Sequence, residues 1–426
     1  MKVLMFGWEF PPHISGGLGT ACYGLTKGLA STGTEVLFVM PSASGDEDQE
    51  SVRIINASDV ELRESLSDLE RFTEKVRFMK IDSNLVPYLD PVEFKKMISE
   101  DMEGRREWFR VHYGDKYKFS GKYGANLMEE VARYALIAGE IAIENSFDVI
   151  HAHDWLTYLA GITAKRFSGK PLVVHVHATE YDRSGTNINT QVYDIERAGM
   201  EAADKVITVS NLTRNIVINK YGIEPSKVVT VHNAVDFQNF EQLEVERGVN
   251  DKIVTFLGRI TFQKGPEYFI EAAAKVLSRY PDVRFVMAGS GDMLNRSIRR
   301  VARLGIAHRF HFTGFLKGDD VKRMFAHSDV YVMPSVSEPF GISPLEAMRS
   351  NVPAIISKQS GVAEVLKHAI KVDFWDIDAM ADAIYSLLTY PAISKMAVRC
   401  GLDEVNALRW EHAAEQINSI YNEVTC

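Results

Sequence analysis

The sequence predicts an α/β protein made of two doubly wound parallel sheets, and three observations carry that expectation. Short β-branched runs alternate with amphipathic helical patterns along the whole chain, as they do where helices cover both faces of a parallel sheet. The 426 residues exceed the size at which a single core stops growing. The runs also fall into two sets, each sufficient for its own sheet, that meet near His232-Asn233-Ala234-Val235-Asp236.

In chain order, the first set of strands is expected at Val3 to Phe6, Glu35 to Met40, Asp148 to Ala152, Leu172 to Val176, Lys205 to Val209 and Lys227 to Val231. The second is expected at Lys252 to Leu257, Arg284 to Ala288, Arg309 to Thr313, Val330 to Met333 and Ala354 to Ser357. The opening run is followed by Gly7, an acid and two prolines, so it reads as a first strand and lacks the apolar core and cleavage site of a secretory signal. Behind it, Leu18, Ala21, Leu25 and Leu29 recur on one helical face. Residues 41–122 mix acids, aromatics and basic residues without clean periodicity, and read as helices and a loop inserted into the first domain, where they would shape an acceptor site. Apolar residues at helical spacing from Trp410 to Tyr421 mark a terminal helix. The domain boundaries expected are 1–234, 235–405 and a terminal helix over 406–426.

Hydrophobic residues at 46% and charged residues at 25% describe an ordinary globular chain. A net charge of -9 argues against nucleic acid or an anionic membrane as partner. The three cysteines, Cys22, Cys400 and Cys426, lie far apart and without metal spacing, which suits a reducing compartment. No uncharged apolar stretch approaches the ~18 residues of a membrane span. A cytoplasmic protein is expected.

The segment SVSEPFGISPLEAM places Glu338 and Glu346 across a strand-to-helix joint, with Ser343 read as helix N-cap and Pro344 as the first helical residue. Carboxyl ends of parallel strands are where open α/β sheets bind ligands, and a helix N-terminus favours an anionic one. Two acids flanking an anion site suit a ligand with hydroxyls at both ends and phosphates between, as in a nucleotide-sugar. Glu346 also stands where it would close a capping box on Ser343, and Glu338 also fits a solvated loop acid.

Other segments converge on the same ligand. Gly16-Gly17-Leu18-Gly19 follows the first strand, and paired glycines before a helix let backbone amides approach a phosphate, although such a turn also serves as a tight connection. Arg259 and Lys264 in GRITFQKGP sit at a strand end and a helix start, where two cations would bind a diphosphate and stabilise it as it departs. Cations at a helix start oppose its dipole, so their placement needs a reason. His151, His153 and Asp154 in HAHDW, with His175 and His177 in HVHATEYD, follow two strands at their carboxyl ends. Alternation puts each H-x-H pair on one face, but no cysteine or H-E-x-x-H spacing accompanies them, so hydrogen bonding to sugar hydroxyls suits them better than metal. His151 and His175 fit satisfied core histidines. Asp376-Ile377-Asp378 matches a D-x-D metal pattern, yet it opens an amphipathic helix, where acids cap.

With these pieces in place the chain resembles retaining glycosyltransferases of the GT-B fold, families 4 and 5, which include glycogen synthases. The segments that carry the resemblance are EPFGISPLE and Gly258-Arg259 followed by Lys264-Gly265. It implies two Rossmann-like domains with parallel sheets facing each other across a cleft. It further implies that Arg259 and Lys264 bind the donor diphosphate, that Gly17 approaches it from the first domain, and that Glu346 holds the ribose hydroxyls. Glu338 would contact the transferred sugar beside the amides of Phe340, Gly341 and Ile342. His177 would lie against the donor sugar, Asp154 near the acceptor, and the terminal helix would pack back on the first domain. No metal or other cofactor is implied. Bacterial starch and glycogen synthases carry Lys two places before the glycine pair, where this chain has Ile14-Ser15-Gly16-Gly17. That departure, with the presence of Glu346, pulls the resemblance toward family 4 and favours a UDP-sugar over ADP-glucose. The expected reaction is hexosyl transfer to an α-glucan such as glycogen. The alternatives are a lipid-linked or cell-surface polysaccharide acceptor, or a GT-B nucleotide-sugar epimerase or hydrolase.

Overall fold

A computed structural model describes residues 1–13, 17–60, 119–121, 127–235, 245–246 and 248–425. Most of the 41–122 insertion, the Ile14-Ser15-Gly16 turn and Asp236 lie outside the described residues.

The first half contains seven parallel strands, β1 Lys2–Phe6, β2 Glu35–Met40, β3 Arg53–Asn56, β4 Val149–His153, β5 Leu172–Val176, β6 Lys205–Thr208 and β7 Val228–Thr230. Their helices are α1 Gly17–Ser31, α2 Leu127–Glu144, α3 Trp155–Ser168, α4 Glu180–Ser184, α5 Thr190–Ala202 and α6 Asn211–Tyr221. The second half has six parallel strands, β8 Lys252–Leu257, β9 Val283–Ala288, β10 Phe310–Gly314, β11 Val330–Met333, β12 Ala354–Ser357 and β13 Ile370–Val372. Its helices are α7 Pro266–Leu277, α8 Leu294–Arg303, α9 Asp319–His327, α10 Ser343–Arg349, α11 Val362–Val365, α12 Ile377–Thr389 and α13 Pro391–Ala407, followed by the terminal α14 Trp410–Thr425.

All eleven expected strands form within a residue or two of their expected bounds, and β3 and β13 join them as sheet edges. The spatial orders are β3-β2-β1-β4-β5-β6-β7 and β10-β9-β8-β11-β12-β13. In both, the direction of winding reverses once, between β1 and β4 and between β8 and β11. The crevice outside such a reversal is the ligand position of an open α/β sheet, and the loops that end β1, β4, β8 and β11 carry most of the residues singled out above.

The strands are apolar on both faces because helices cover both. Leu4, Phe6, Ile150 and Val174 pack with α2 and α3 on one side of the first sheet. Val3, Met5 and Val173 pack on the other with α1 and with Trp410, Ala413, Ile417 and Tyr421 of α14. The end of the chain thus completes the core of the first half. Its close approach to α1 depends on missing side chains: a Cβ at Gly24 would stand 2.1 Å from the Trp410 indole nitrogen, and one at Gly28 would stand 2.6 Å from the Trp410 carbonyl oxygen. Gly28→Ala is therefore expected to displace α14 and destabilise the protein by about 1–3 kcal/mol, read as a lowered unfolding midpoint and faster proteolysis near the C-terminus. An unchanged midpoint would show that the two helices have room to part.

Candidate functional site

At the end of β8 the chain turns through Gly258 and Arg259 into a 3-10 turn, Phe262–Lys264, and then into α7. Gly265 joins the two with φ 65, and a Cβ there would lie 2.1 Å from the Pro334 carbonyl oxygen. The turn therefore packs directly on the loop that ends β11, and the Val336 amide donates to the Gln263 carbonyl at 2.9 Å. Across this junction Lys264 Nζ meets Glu338 Oε2 at 2.5 Å, and Ser335 Oγ donates to the same oxygen at 3.1 Å. Glu338 is buried and Lys264 is one-fifth exposed at its side chain. Arg259 is exposed, with Nη2 3.4 Å from Gln263 Oε1.

The β11 loop leads into α10. The helix N-cap is Ile342, with Ser343 and Pro344 in the first turn and no side-chain cap hydrogen bond. This corrects the reading of Ser343 as the cap: the backbone enters helical geometry one residue earlier, at Ile342. Glu346 accordingly closes no capping box, and burial holds its carboxyl above the ordinary carboxylate range. Phe340 is buried, and Gly341 has φ 102, with the Glu338 side chain and Met333 where its Cβ would be. Asp376 caps α12 by accepting from the Ala379 amide at 2.9 Å, so the D-x-D pattern is a helix start.

From the first sheet, β4 ends in Asp154, the N-cap of α3, at φ 59 and ψ 170. A non-glycine residue in that region is strained, and the conformation is held by Asp154 Oδ1 accepting from the His177 amide at 2.7 Å and the Ala178 amide at 3.3 Å. Burial pushes the Asp154 carboxyl up to about 7, against the opposing pull of Arg183 and the two amides. His177 follows β5, and burial lowers its imidazole to about 3, leaving it neutral at ordinary pH. Its Nε2 lies 2.9 Å from His153 Nδ1. Gly17 opens α1 and is exposed, with open space where a Cβ would point.

The two halves touch beside these groups. Helix α4 packs on the Phe262–Lys264 turn, and Ser337 Oγ donates to Asp182 Oδ1 at 2.5 Å. Asp182 is itself held in the capping box of Thr179. Under α4, Arg183 pairs with Glu196 and, at 3.4 Å, with Glu180, while Tyr221 donates to Glu196. A second link runs through Glu364, which accepts from the Asn211 amide at 2.9 Å and the Leu212 amide at 2.8 Å and meets His232 Nε2 at 2.8 Å. His232 belongs to the segment read as the interdomain hinge.

The structure thus joins Lys264 to Glu338 and Asp154 to His177, and draws the two pairs together through α4. Asp182, Ser337 and Glu364 escaped the sequence reading, because their partners are more than a hundred residues away or on the opposite half. His175 departs from its expectation as a satisfied core histidine, since both ring nitrogens are buried without a hydrogen-bond partner.

Two families match in tandem, one for each sheet: residues 2–231 match "Starch synthase catalytic domain" and residues 238–401 match "Glycosyl transferases group 1". The chain belongs to the glycogen synthase-like GT-B glycosyltransferases. An uncharacterized glycosyltransferase of Methanocaldococcus jannaschii is 28% identical, over 99% of this chain and 98% of that one. Glycogen synthase of Mycobacterium tuberculosis is 24% identical, over 99% of this chain and 94% of its own length. Among solved structures, sucrose-phosphate synthase of Thermosynechococcus elongatus superposes with a TM-score of 0.71 at 18% identity, covering 99% of this glycosyltransferase and 98% of that chain. Among the described residues no helix is long and apolar enough to cross a membrane.

Proposed function

We propose that this glycosyltransferase moves a glucosyl unit from UDP- or ADP-glucose to a growing α-glucan such as glycogen, with retention of anomeric configuration and without a metal on the diphosphate. The observation that supports this most directly is the Lys264–Glu338 pair at the reversal point of the second sheet, linked to the first half by α4 packing on the Phe262–Lys264 turn and by Ser337 on Asp182. The tandem family match and the glycogen synthase relative, aligned over nearly the whole of both chains, support a glucan as the acceptor class in this reading.

In this reading Arg259 and Lys264 take the charge of the departing diphosphate, with the α10 N-terminus beside them. Each well-aimed donor of that kind contributes roughly 3 kcal/mol to transition-state stabilisation. An arriving donor draws Lys264 onto its phosphates and frees Glu338 for the sugar hydroxyls, while Glu346 meets the ribose. His177 and the amides of Phe340, Gly341 and Ile342 frame the sugar from either side. Asp154 sits on the acceptor side, and the reaction needs no carboxylate nucleophile. Closure of the two halves excludes water and sets the acceptor hydroxyl on the face from which the diphosphate leaves.

The test is nucleotide release from UDP-glucose and ADP-glucose, each with and without glycogen. Release that depends on glycogen, with the anomeric configuration of the product determined by NMR, is the expected result and names the donor. Release without any acceptor would replace transfer with hydrolysis or epimerisation. Release from neither donor would move the substrate to another sugar or to a lipid-linked acceptor.

A further inference from the structure

The H-x-H pairs of β4 and β5 form a compact array of imidazoles between the first sheet and helices α1 and α14. His153 and His175 are directly paired in register, and ring centroids are 4.3 Å apart for His151 and His153 and 5.3 Å for His153 and His175. His151 and His153 are fully buried and His175 is 2% exposed. Four of their ring nitrogens, His151 Nε2, His153 Nε2 and both of His175, have no hydrogen-bond partner. One nitrogen from each ring lies within 4.8 Å of the others. An unpartnered polar atom in such a place costs about 1–3 kcal/mol, so this cluster calls for a species that satisfies several nitrogens at once.

We propose that His151, His153 and His175 bind a zinc-class divalent cation that ties β4 to β5 beneath α1 and α14. Two imidazoles at i and i+2 on one strand, with a third on the neighbouring strand, make a three-histidine donor set of the kind that such cations take in tetrahedral sites. Neutral imidazole is the ligating form, and nitrogen donors suit zinc, nickel and cobalt. Cys22 Sγ, from α1, forms a second close group with His153 and His177 beside the three-histidine set. The sequence reading discounted metal because no cysteine accompanied the histidines; Cys22 arrives from more than a hundred residues away. The outer partners are in place as well. Tyr421 of α14 holds His151 Nδ1 at 2.5 Å, and a cation on His153 Nε2 leaves its proton on Nδ1, facing His177 Nε2 at 2.9 Å. The cation site thereby sets the tautomer and orientation of His177, and it is separate from the diphosphate.

Elemental analysis of the full chain, purified without a histidine tag or chelator and then dialysed, is expected to find about one zinc-class cation per chain. The His151→Leu and His175→Leu variants are expected to lose it. A zinc chelator should lower the unfolding midpoint of the parent protein and leave that of His175→Leu unchanged. Cobalt added to the chelated protein should restore the midpoint and give a tetrahedral visible spectrum. Metal-free protein that takes up neither zinc nor cobalt overturns the proposal. So does a His175→Leu midpoint equal to or above that of the parent, the outcome expected when only orphaned nitrogens are removed. If both leucine variants fail to fold, the metal content and cobalt spectrum of the parent protein decide.

Discussion

Lys264→Ala is expected to slow sugar transfer by about a hundredfold to a thousandfold, the loss measured when one preorganised donor to a developing negative charge is removed. Most of the loss should fall on kcat, because the ammonium ion interacts most strongly with the diphosphate as it departs. Part should appear as a raised KM for the donor, since the ground-state diphosphate is already charged. Glu338→Gln separates this role from that of the ion pair. It removes the partner of Lys264 but leaves a cation for the diphosphate and an amide of nearly the same shape beside Ser335. Comparable losses in both variants, with unfolding midpoints near that of the parent protein, are the result that fits. Near-normal turnover in either one removes that residue from the mechanism.

Arg183→Leu is expected to destabilise the protein by about 3–5 kcal/mol, the range for breaking a buried ion pair from one side. The Glu196 side chain is only 3% exposed, and it shares Arg183 with Glu180, so loss of the guanidinium leaves carboxylates facing one another in a desolvated pocket. Leucine fills part of the volume and supplies no charge. The unfolding midpoint should fall steeply, and adding Glu196→Leu should recover part of the loss, because the pair then disappears as a unit. Helix α4 rests on this network and carries Asp182 to Ser337, so variants that still fold should also show a raised KM for the donor. A small change in midpoint would mean that water reaches the pocket and screens its charges.

Central strands were legible because each is a run of branched apolar residues with helical patterns on either side. The two strands missed lie at sheet edges, where Arg53 opens β3 and Lys371 interrupts β13, so neither shows the unbroken apolar run that marked the others. The candidate groups at strand ends could be found because strand-end position is itself a linear property. Asp182, Ser337, Glu364, Cys22 and Tyr421 were not, because each matters through a partner that only the fold supplies. Ser343 shows the limit at finer scale, since its residue type suits a cap but the backbone enters the helix at Ile342.

The packing of α14 against α1 carries a consequence for the order in which the molecule can be completed. A chain leaves the ribosome from its N-terminus, so β1 and α1 emerge well before Trp410, Ile417 and Tyr421, which follow every strand of both sheets. The middle of the chain, from β8 to β13, has every strand of its own sheet before α14 is synthesised. The first half therefore waits for a helix made after the second, with one apolar face of α1 uncovered in the interval. Chaperone occupancy of the nascent chain should accordingly persist until α14 has emerged, and a chain cut short before Trp410 should aggregate through that face of α1.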